Sequence, residues 1–129
     1  MKLRKLWLGI GLLWVVIVVV LSLIPEPPSV GQFQDIDKLE HGAAYAFLMF
    51  WFAQIYPARR TRRVIAFSFV LLGIVIECLQ GLSGFRQFEY TDMAANTLGV
   101  LVGLLLALTP LGGILERFEK ILLGTSRTT

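Results

Sequence analysis

One uninterrupted apolar run, LWLGIGLLWVVIVVVLSLI at positions 6–24, decides the fold class. It contains no charged residue, and its length approaches the roughly 20 residues that an α-helix needs to cross a bilayer. Prolines at positions 25, 27 and 28 predict that the helix ends at Ile24. The run is longer than the apolar region of a signal peptide, about 7–15 residues, and no small-residue cleavage site follows it. We therefore interpret it as a retained membrane anchor.

Three further apolar runs, at about 39–56, 64–82 and 93–111, are also predicted to span the membrane. Pro57 stops the first of them, and two glycines at 112–113 follow the last. Overall, 56% of the 129 residues are hydrophobic and 16% are charged. Soluble domains average about 45–50% and about 25%, which argues against a soluble or disordered chain. The sequence predicts an all-α membrane protein whose single domain, residues 1–129, is a four-helix transmembrane bundle.

Charged residues in the connections predict how this bundle lies in the membrane. Basic residues precede the first run and form a second group at 59–63, whereas the connections at 25–41 and 81–92 are acidic on balance. By the positive-inside rule both termini are cytoplasmic, which predicts a multi-pass membrane protein. The arginine group resembles a nucleic-acid patch, but beside acidic lipid it is better explained as a topology signal, and no nucleic-acid partner is expected. A single cysteine without metal-ligand spacing gives no reason to expect a disulfide, a metal or a cofactor.

The tail after Gly112 has an amphipathic pattern. One predicted face is apolar and the opposite face is charged, with Ile114, Leu115, Phe118, Ile121 and Leu122 on the first and Glu116, Arg117, Glu119 and Lys120 on the second. This pattern is typical of a short interfacial helix, and an extension of the fourth span is the alternative. Two further expectations are that Trp7 faces lipid and that Cys78 is a buried, inert thiol.

The unusual polar residues of the predicted spans all fall on the outer side of the membrane. They form three sets on separate helices, namely Asp37, Lys38, His41 and Tyr45, then Glu77 and Gln80, then Asp92 and Asn96 followed by Gly99 and Gly103, with Arg86 and Glu89 in the connection before the last set. The spacing within each set places its members on one helical face. Three polar stripes that face one another predict a ligand-binding pocket in the outer leaflet, floored by glycines.

Each of these residues also has an ordinary structural interpretation. Glu77 is costly inside a membrane and must be protonated or partnered, so it is either functional or part of an ion pair that fixes helix register. His41 and Asp92 suit helix starts, and Asn96 suits helix packing. The two cations of the pocket, Lys38 and Arg86, also suit anchors at the membrane interface, although the planar fork of an arginine is well suited to phosphate or carboxylate.

At these residues the chain resembles the VanZ-like family of bacterial membrane proteins. The matching pattern is Asp37-Lys38-x-x-His41-x-x-x-Tyr45, Glu77-x-x-Gln80 and Arg86-x-x-x-x-x-Asp92-x-x-x-Asn96-x-x-Gly99, and an acid common between the Arg and the Asp corresponds to Glu89. The resemblance implies a role in the cell envelope, because the founding member of the family is associated with low-level teicoplanin resistance. It implies no particular reaction.

Three functions remain open from the sequence. The first is a non-catalytic envelope factor that binds a lipid head group or a lipid-linked cell-wall precursor, with Lys38 and Arg86 on the anionic head. The second is a membrane-embedded hydrolase or transferase that uses Glu77, His41 and Asp92, or a divalent metal held by those three. The third is transport, which the apolar inner halves of the spans disfavour.

Overall fold

A computed structural model describes residues 2–24, 34–83 and 90–124, and in the second segment it describes the side chains of residues 39–82. These residues form α1 (Arg4–Leu23), α2 (Gln34–Ile55), α3 (Arg59–Ser83), α4 (Tyr90–Ala107), a short 3₁₀ turn (Pro110–Gly113) and α5 (Ile114–Leu123). No strand occurs in the described segments, and the predicted all-α fold class is confirmed.

Three of the helices are long and apolar enough to cross a membrane, namely Arg4–Leu23, Arg59–Leu82 and Tyr90–Ala107. They leave large apolar side chains such as Leu13, Phe67 and Leu105 uncovered by the rest of the chain. An apolar surface of this extent is suited to lipid rather than to water. The chain is therefore a membrane protein.

The helix α2 is not apolar enough to count as a fourth membrane-spanning helix by composition, although its 22 residues are enough to span a bilayer. Glu40 and His41 near its start and Gln54 near its end lower its mean hydropathy. Its position explains why it can be more polar, because α2 packs against α1, α3, α4 and α5 and supplies most of the buried core. Side chains of that core are Tyr45, Leu48, Met49, Phe52, Ala53, Phe69, Val100 and Ala107.

The closest helix contact in the bundle joins α2 to α4 through glycines. A Cβ atom at Gly99 would overlap the carbonyl oxygen of Gly42, and one at Gly103 would overlap the carbonyl oxygen of Ala46. The contact advances by four residues on both helices in the same direction, so α2 and α4 run parallel. The predicted close packing along Gly99 and Gly103 is confirmed, and its partner is α2.

The fourth helix is shorter than predicted, because it ends at Ala107 instead of residue 111. Proline at 110 keeps Thr109 extended, and the Thr109 hydroxyl accepts a hydrogen bond from the Leu111 amide at 3.2 Å. After this turn the tail forms a separate helix, α5, and does not extend α4.

Candidate functional site

Five of the described polar side chains lie buried at one end of the otherwise apolar bundle, and four of them, all except Gln80, are considered first. Tyr45, Glu77, Asp92 and Asn96 come from α2, α3 and α4, and none is more than 6% exposed. We refer to these four residues as the polar cluster. Glu77 lies six residues before the end of α3, about 9 Å along the helix axis at 1.5 Å per residue.

Tyr45 and Glu77 connect α2 to α3 within the polar cluster. The Glu77 carboxylate lies within electrostatic range of the Tyr45 hydroxyl, and both side chains are buried. A long side chain in a helix leans toward the helix amino terminus, so the hydroxyl of Tyr45 reaches toward the start of α2. That is the direction in which the carboxyl end of α3, and with it Glu77, lies.

Asn96 connects α4 to α3 at a position where α3 has no side chain. The Asn96 amide nitrogen lies 3.2 Å from where a Cβ atom of Gly73 would be, so the glycine makes room for it. The consecutive helices α3 and α4 run antiparallel. Glu77 lies one turn after Gly73 on α3 and Asp92 lies one turn before Asn96 on α4, so the two carboxylates are at the same level of the bundle. Asp92 lies in the first turn of α4, where the helix dipole favours a carboxylate.

Gln80 has a structural contact at the edge of the polar cluster. Its side-chain amide donates a hydrogen bond of 2.6 Å to the backbone carbonyl of Ser22 in the last turn of α1. A carbonyl in the last turn of a helix has no partner within that helix, so the contact satisfies one of them and ties α3 to α1. The predicted ligand residue Gln80 is therefore engaged with the scaffold through its nitrogen.

The other predicted site residues are placed only in part. His41 is half-buried on α2, one turn before Tyr45 and next to Gly42, where α2 touches α4. The side chains of Asp37 and Lys38 lie outside the described residues, as do Arg86 and Glu89. The cationic part of the pocket therefore stays a prediction.

Two atoms of the polar cluster offer unused hydrogen-bonding capacity. The hydroxyl of Tyr45 and the side-chain oxygen of Asn96 are buried without a hydrogen-bond partner among the described residues. A buried polar atom left unsatisfied costs about 1–3 kcal/mol, and such atoms in a native protein call for an explanation. A ligand with hydroxyl or amide groups would satisfy both of them.

The proposed metal variant of the site does not fit the structure. No three His, Cys, Asp or Glu side chains in the described segments are close enough together to hold a metal ion. The trio of His41, Glu77 and Asp92, which the sequence left open as an alternative metal site, lies within those segments and does not form such a group.

A further buried carboxylate, predicted to lie on the charged face of the tail, lies at the opposite end of the bundle. Glu119 of α5 is 4% exposed and accepts hydrogen bonds from the Leu3 amide at 2.6 Å, the Trp7 indole at 2.9 Å and the Lys2 amide at 3.1 Å. Burial alone would raise the pKa of Glu119, but these hydrogen bonds lower it below its ordinary value. Glu119 thus caps the amino end of α1 as an ionised group.

The expectations for Trp7 and Cys78 are both wrong. Trp7 does not face lipid, because it is buried between Trp51 and Phe118 and donates to Glu119. Cys78 is exposed, because it follows Glu77 by one residue and is turned about 100° away from the polar cluster.

Comparison with known proteins supplies a family. A model of the family described as VanZ/LLP1 matches residues 10–112, a range that contains the whole polar cluster and all of α2, α3 and α4. No curated protein and no solved structure matches the chain.

Proposed function

Because the chain belongs to the VanZ/LLP1 family and buries a polar cluster in an apolar bundle, we propose that the cluster binds the polar head group of a membrane lipid or a lipid-linked cell-wall precursor. The observation behind this proposal is the burial of Tyr45, Glu77, Asp92 and Asn96 on three helices at one end of the chain. Polar residues inside a membrane are costly, and a binding function explains why they are kept.

The proposal places the polar cluster in the outer leaflet of a bacterial cytoplasmic membrane. Described lysine and arginine side chains lie at the opposite end of the bundle, beside the start of α1 and the start of α3. The positive-inside rule then puts both termini in the cytoplasm. In this arrangement α2 is the fourth span, shielded from lipid by its neighbours, and α5 lies at the cytoplasmic surface.

The chemistry of the polar cluster suggests how a head group is held. The Asn96 oxygen accepts a hydrogen bond from a ligand hydroxyl or amide, and the Tyr45 hydroxyl adds a donor or an acceptor. Glu77 orients the same group from α3. Lys38 and Arg86, whose side chains lie outside the described residues, are proposed to neutralise a phosphate on the head group, as their charges beside the acidic residues in the sequence predict.

A bound precursor would be masked from enzymes and antibiotics that act at the outer surface. This gives a physical route from head-group binding to altered envelope composition, and in related proteins to altered sensitivity to glycopeptides such as teicoplanin. The proposal requires no reaction.

A hydrolase or transferase of lipid head groups is the second candidate. It is favoured by one observation, the complete burial of Glu77 within electrostatic range of the Tyr45 hydroxyl, because a buried acid in a polar cluster is a candidate for proton transfer. Turnover of a bound lipid that disappears in Glu77→Gln, while the fold and lipid binding remain, would favour this candidate over simple binding.

Native mass spectrometry of the purified protein, with lipidomics of the bound fraction, tests the binding proposal. Glu77→Gln is compared with wild type and with Glu116→Gln, a matched change at an exposed acid of α5. We expect one lipid class to be retained by wild type and by Glu116→Gln, and about tenfold less of it by Glu77→Gln, equivalent to the loss of one charge-assisted hydrogen bond. Equal retention by all three, or only bulk phospholipid in each, would contradict the proposal.

A further inference from the structure

The helix α5 is fixed at the depth where the spanning helices begin and end. Its Leu115 amide donates a hydrogen bond of 2.7 Å to the side-chain oxygen of Gln54 in the last turn of α2. One turn later Glu119 accepts hydrogen bonds from the amides of Lys2 and Leu3, directly before α1. For a bundle whose helices cross the bilayer, this depth is that of the lipid head groups.

Successive residues of α5 are about 100° apart, which divides the helix surface into three arcs. The first arc, with Leu115 and Glu119, is buried against the bundle. The second arc is charged, and its Lys120 and Glu116 form an exposed ion pair at 3.8 Å. The third arc, which we call the apolar stripe, consists of exposed side chains, namely Ile114, Phe118, Ile121 and Leu122. Among them, Phe118 contacts the Trp7 ring and is still half exposed.

Basic side chains surround the same end of the bundle. Arg4 at the start of α1 donates to the Ile55 carbonyl at 3.3 Å and lies 5.6 Å from the ring centre of Tyr56, and Arg62 of α3 donates to the Ala53 and Tyr56 carbonyls. These contacts bring the start of α1 and the start of α3 together at the end of α2. All the described lysine and arginine side chains lie on these segments or on α5, namely Lys2, Arg4, Lys5, Arg59, Arg60, Arg62, Arg63, Arg117 and Lys120.

Acidic side chains at this end compensate for little of that charge. Among the described residues of these segments, the acids are Glu116, paired with Lys120, and Glu119, buried under the start of α1. The exposed surface around α5 is therefore strongly positive. Such a surface, next to an apolar stripe at head-group depth, complements a membrane with negatively charged head groups.

We propose that this end of the protein is a docking surface for anionic phospholipid, with the apolar stripe of α5 inserted among the acyl chains and the surrounding basic residues on the head groups. The Glu119 contacts join α5 to α1, so the docked helix also holds the start of α1 at the membrane surface. The inference is independent of the polar cluster and of what that cluster binds.

The depth of α5 is tested with an environment-sensitive fluorophore on a single cysteine. The label is placed by Ile121→Cys on the apolar stripe, or by Glu116→Cys on the charged arc, both in a Cys78→Ser chain reconstituted into vesicles. Phospholipid brominated on its acyl chains should quench position 121 several-fold more than position 116, because only the stripe enters the lipid. Equal quenching at both positions overturns the proposal. Blue-shifted emission from the fluorophore at position 121 without quenching also overturns the proposal. The stripe would then lie in an apolar environment formed by protein, such as a second copy of the chain.

The preference for anionic head groups is tested by energy transfer from tryptophan to dansyl-labelled phospholipid. In a Trp14→Phe chain, the two remaining tryptophans, Trp7 and Trp51, which are in contact beneath this surface, serve as donors. Transfer to labelled phosphatidylglycerol should exceed transfer to labelled phosphatidylcholine by about twofold or more at low salt. The triple variant Arg60→Gln, Arg63→Gln, Lys120→Gln should lose this preference, whereas Arg60→Lys with Arg63→Lys should retain it. Equal transfer to both lipids in wild type would overturn the anionic assignment.

Discussion

The two ends of the bundle both bury polar side chains, but they differ in how far the described residues satisfy the hydrogen bonds of those side chains. At one end Glu119 receives three described hydrogen bonds, two from backbone amides that precede α1 and one from the Trp7 indole. At the other end the polar cluster contains a Tyr45 hydroxyl and an Asn96 oxygen that no described residue satisfies. A fully satisfied buried acid stabilises the fold, whereas a cluster with spare hydrogen-bonding capacity is suited to a ligand.

This difference implies that substitutions at the two ends should have opposite signatures. Changes at the Glu119 end should lower stability without altering lipid retention. Changes inside the polar cluster should lower lipid retention with little effect on stability. The α2–α4 contact beneath the cluster supports both properties, so breaking it should have the largest effect.

Gly99→Leu is expected to have the largest effect of the single substitutions considered. Its side chain would overlap the backbone of Gly42, and overpacking a close helix contact should cost about 3 kcal/mol or more, with loss of lipid retention. The matched control is Gly9→Leu on α1, where nothing lies within 4 Å of an added Cβ atom. Thermal unfolding in detergent, followed by circular dichroism, measures both. An equal loss in the two variants would show that the contact does not organise the bundle.

Trp7→Phe tests the Glu119 end by removing one donor while keeping an aromatic ring. The buried carboxylate then loses its 2.9 Å hydrogen bond, which should lower the free energy of unfolding by about 1–2 kcal/mol. Trp14→Phe, the same change at a partly exposed position, should cost less than about 0.5 kcal/mol. If both variants have the same free energy of unfolding as wild type, the hydrogen bond from the Trp7 indole adds nothing to stability.

The stability provided by Glu119 should depend on pH in a defined direction. Its pKa in the folded protein lies below the ordinary value of 4.5, so the unfolded chain takes up the proton more readily. The contribution is therefore complete above pH 4.5 and is lost as the pH falls through the lower folded pKa. The difference in unfolding temperature between wild type and Glu119→Gln should therefore become smaller in this acidic range. A difference that stays constant or grows on acidification would contradict the assignment.

Cys78 provides the mildest test, because it reports the environment of α3 beside the polar cluster without any substitution. The thiol is exposed in the bare protein and faces away from the cluster, so in a membrane it should be surrounded by lipid. A charged, membrane-impermeant maleimide should label it far more slowly than a thiol in water, because lipid excludes the reagent and keeps the thiol protonated. Arg60→Cys in a Cys78→Ser chain is the positive control for the charged reagent. Rapid labelling of Cys78 by the charged reagent would place this part of α3 in water.

Much of the fold could be predicted from the sequence because helices in a membrane need long apolar runs. The residues of the polar cluster were also predictable, since their spacing on α2, α3 and α4 places each set on one face. The glycine contact between α4 and a neighbour followed from small residues four apart at Gly99 and Gly103.

Other features depend on backbone groups, which sequence patterns do not identify. The partner of Gln80 is the Ser22 carbonyl, and two of the three described donors to Glu119 are amides more than 100 residues away. The amphipathic pattern of α5 distinguishes apolar from charged faces, but it does not say which part of the charged face meets the bundle. Glu119 lies at that boundary, and so both it and Trp7 were assigned to the wrong environment.

The central claim, that one end binds and the other end stabilises, is tested most directly by measuring lipid retention and unfolding temperature on the same samples of Glu77→Gln and Glu119→Gln. The account predicts that Glu77→Gln loses its specific lipid and, once delipidated, unfolds within about 1–2 °C of delipidated wild type, whereas Glu119→Gln keeps the lipid and unfolds several degrees lower. If Glu77→Gln keeps the lipid and loses stability instead, the polar cluster is an internal structural contact, and the binding claim is wrong.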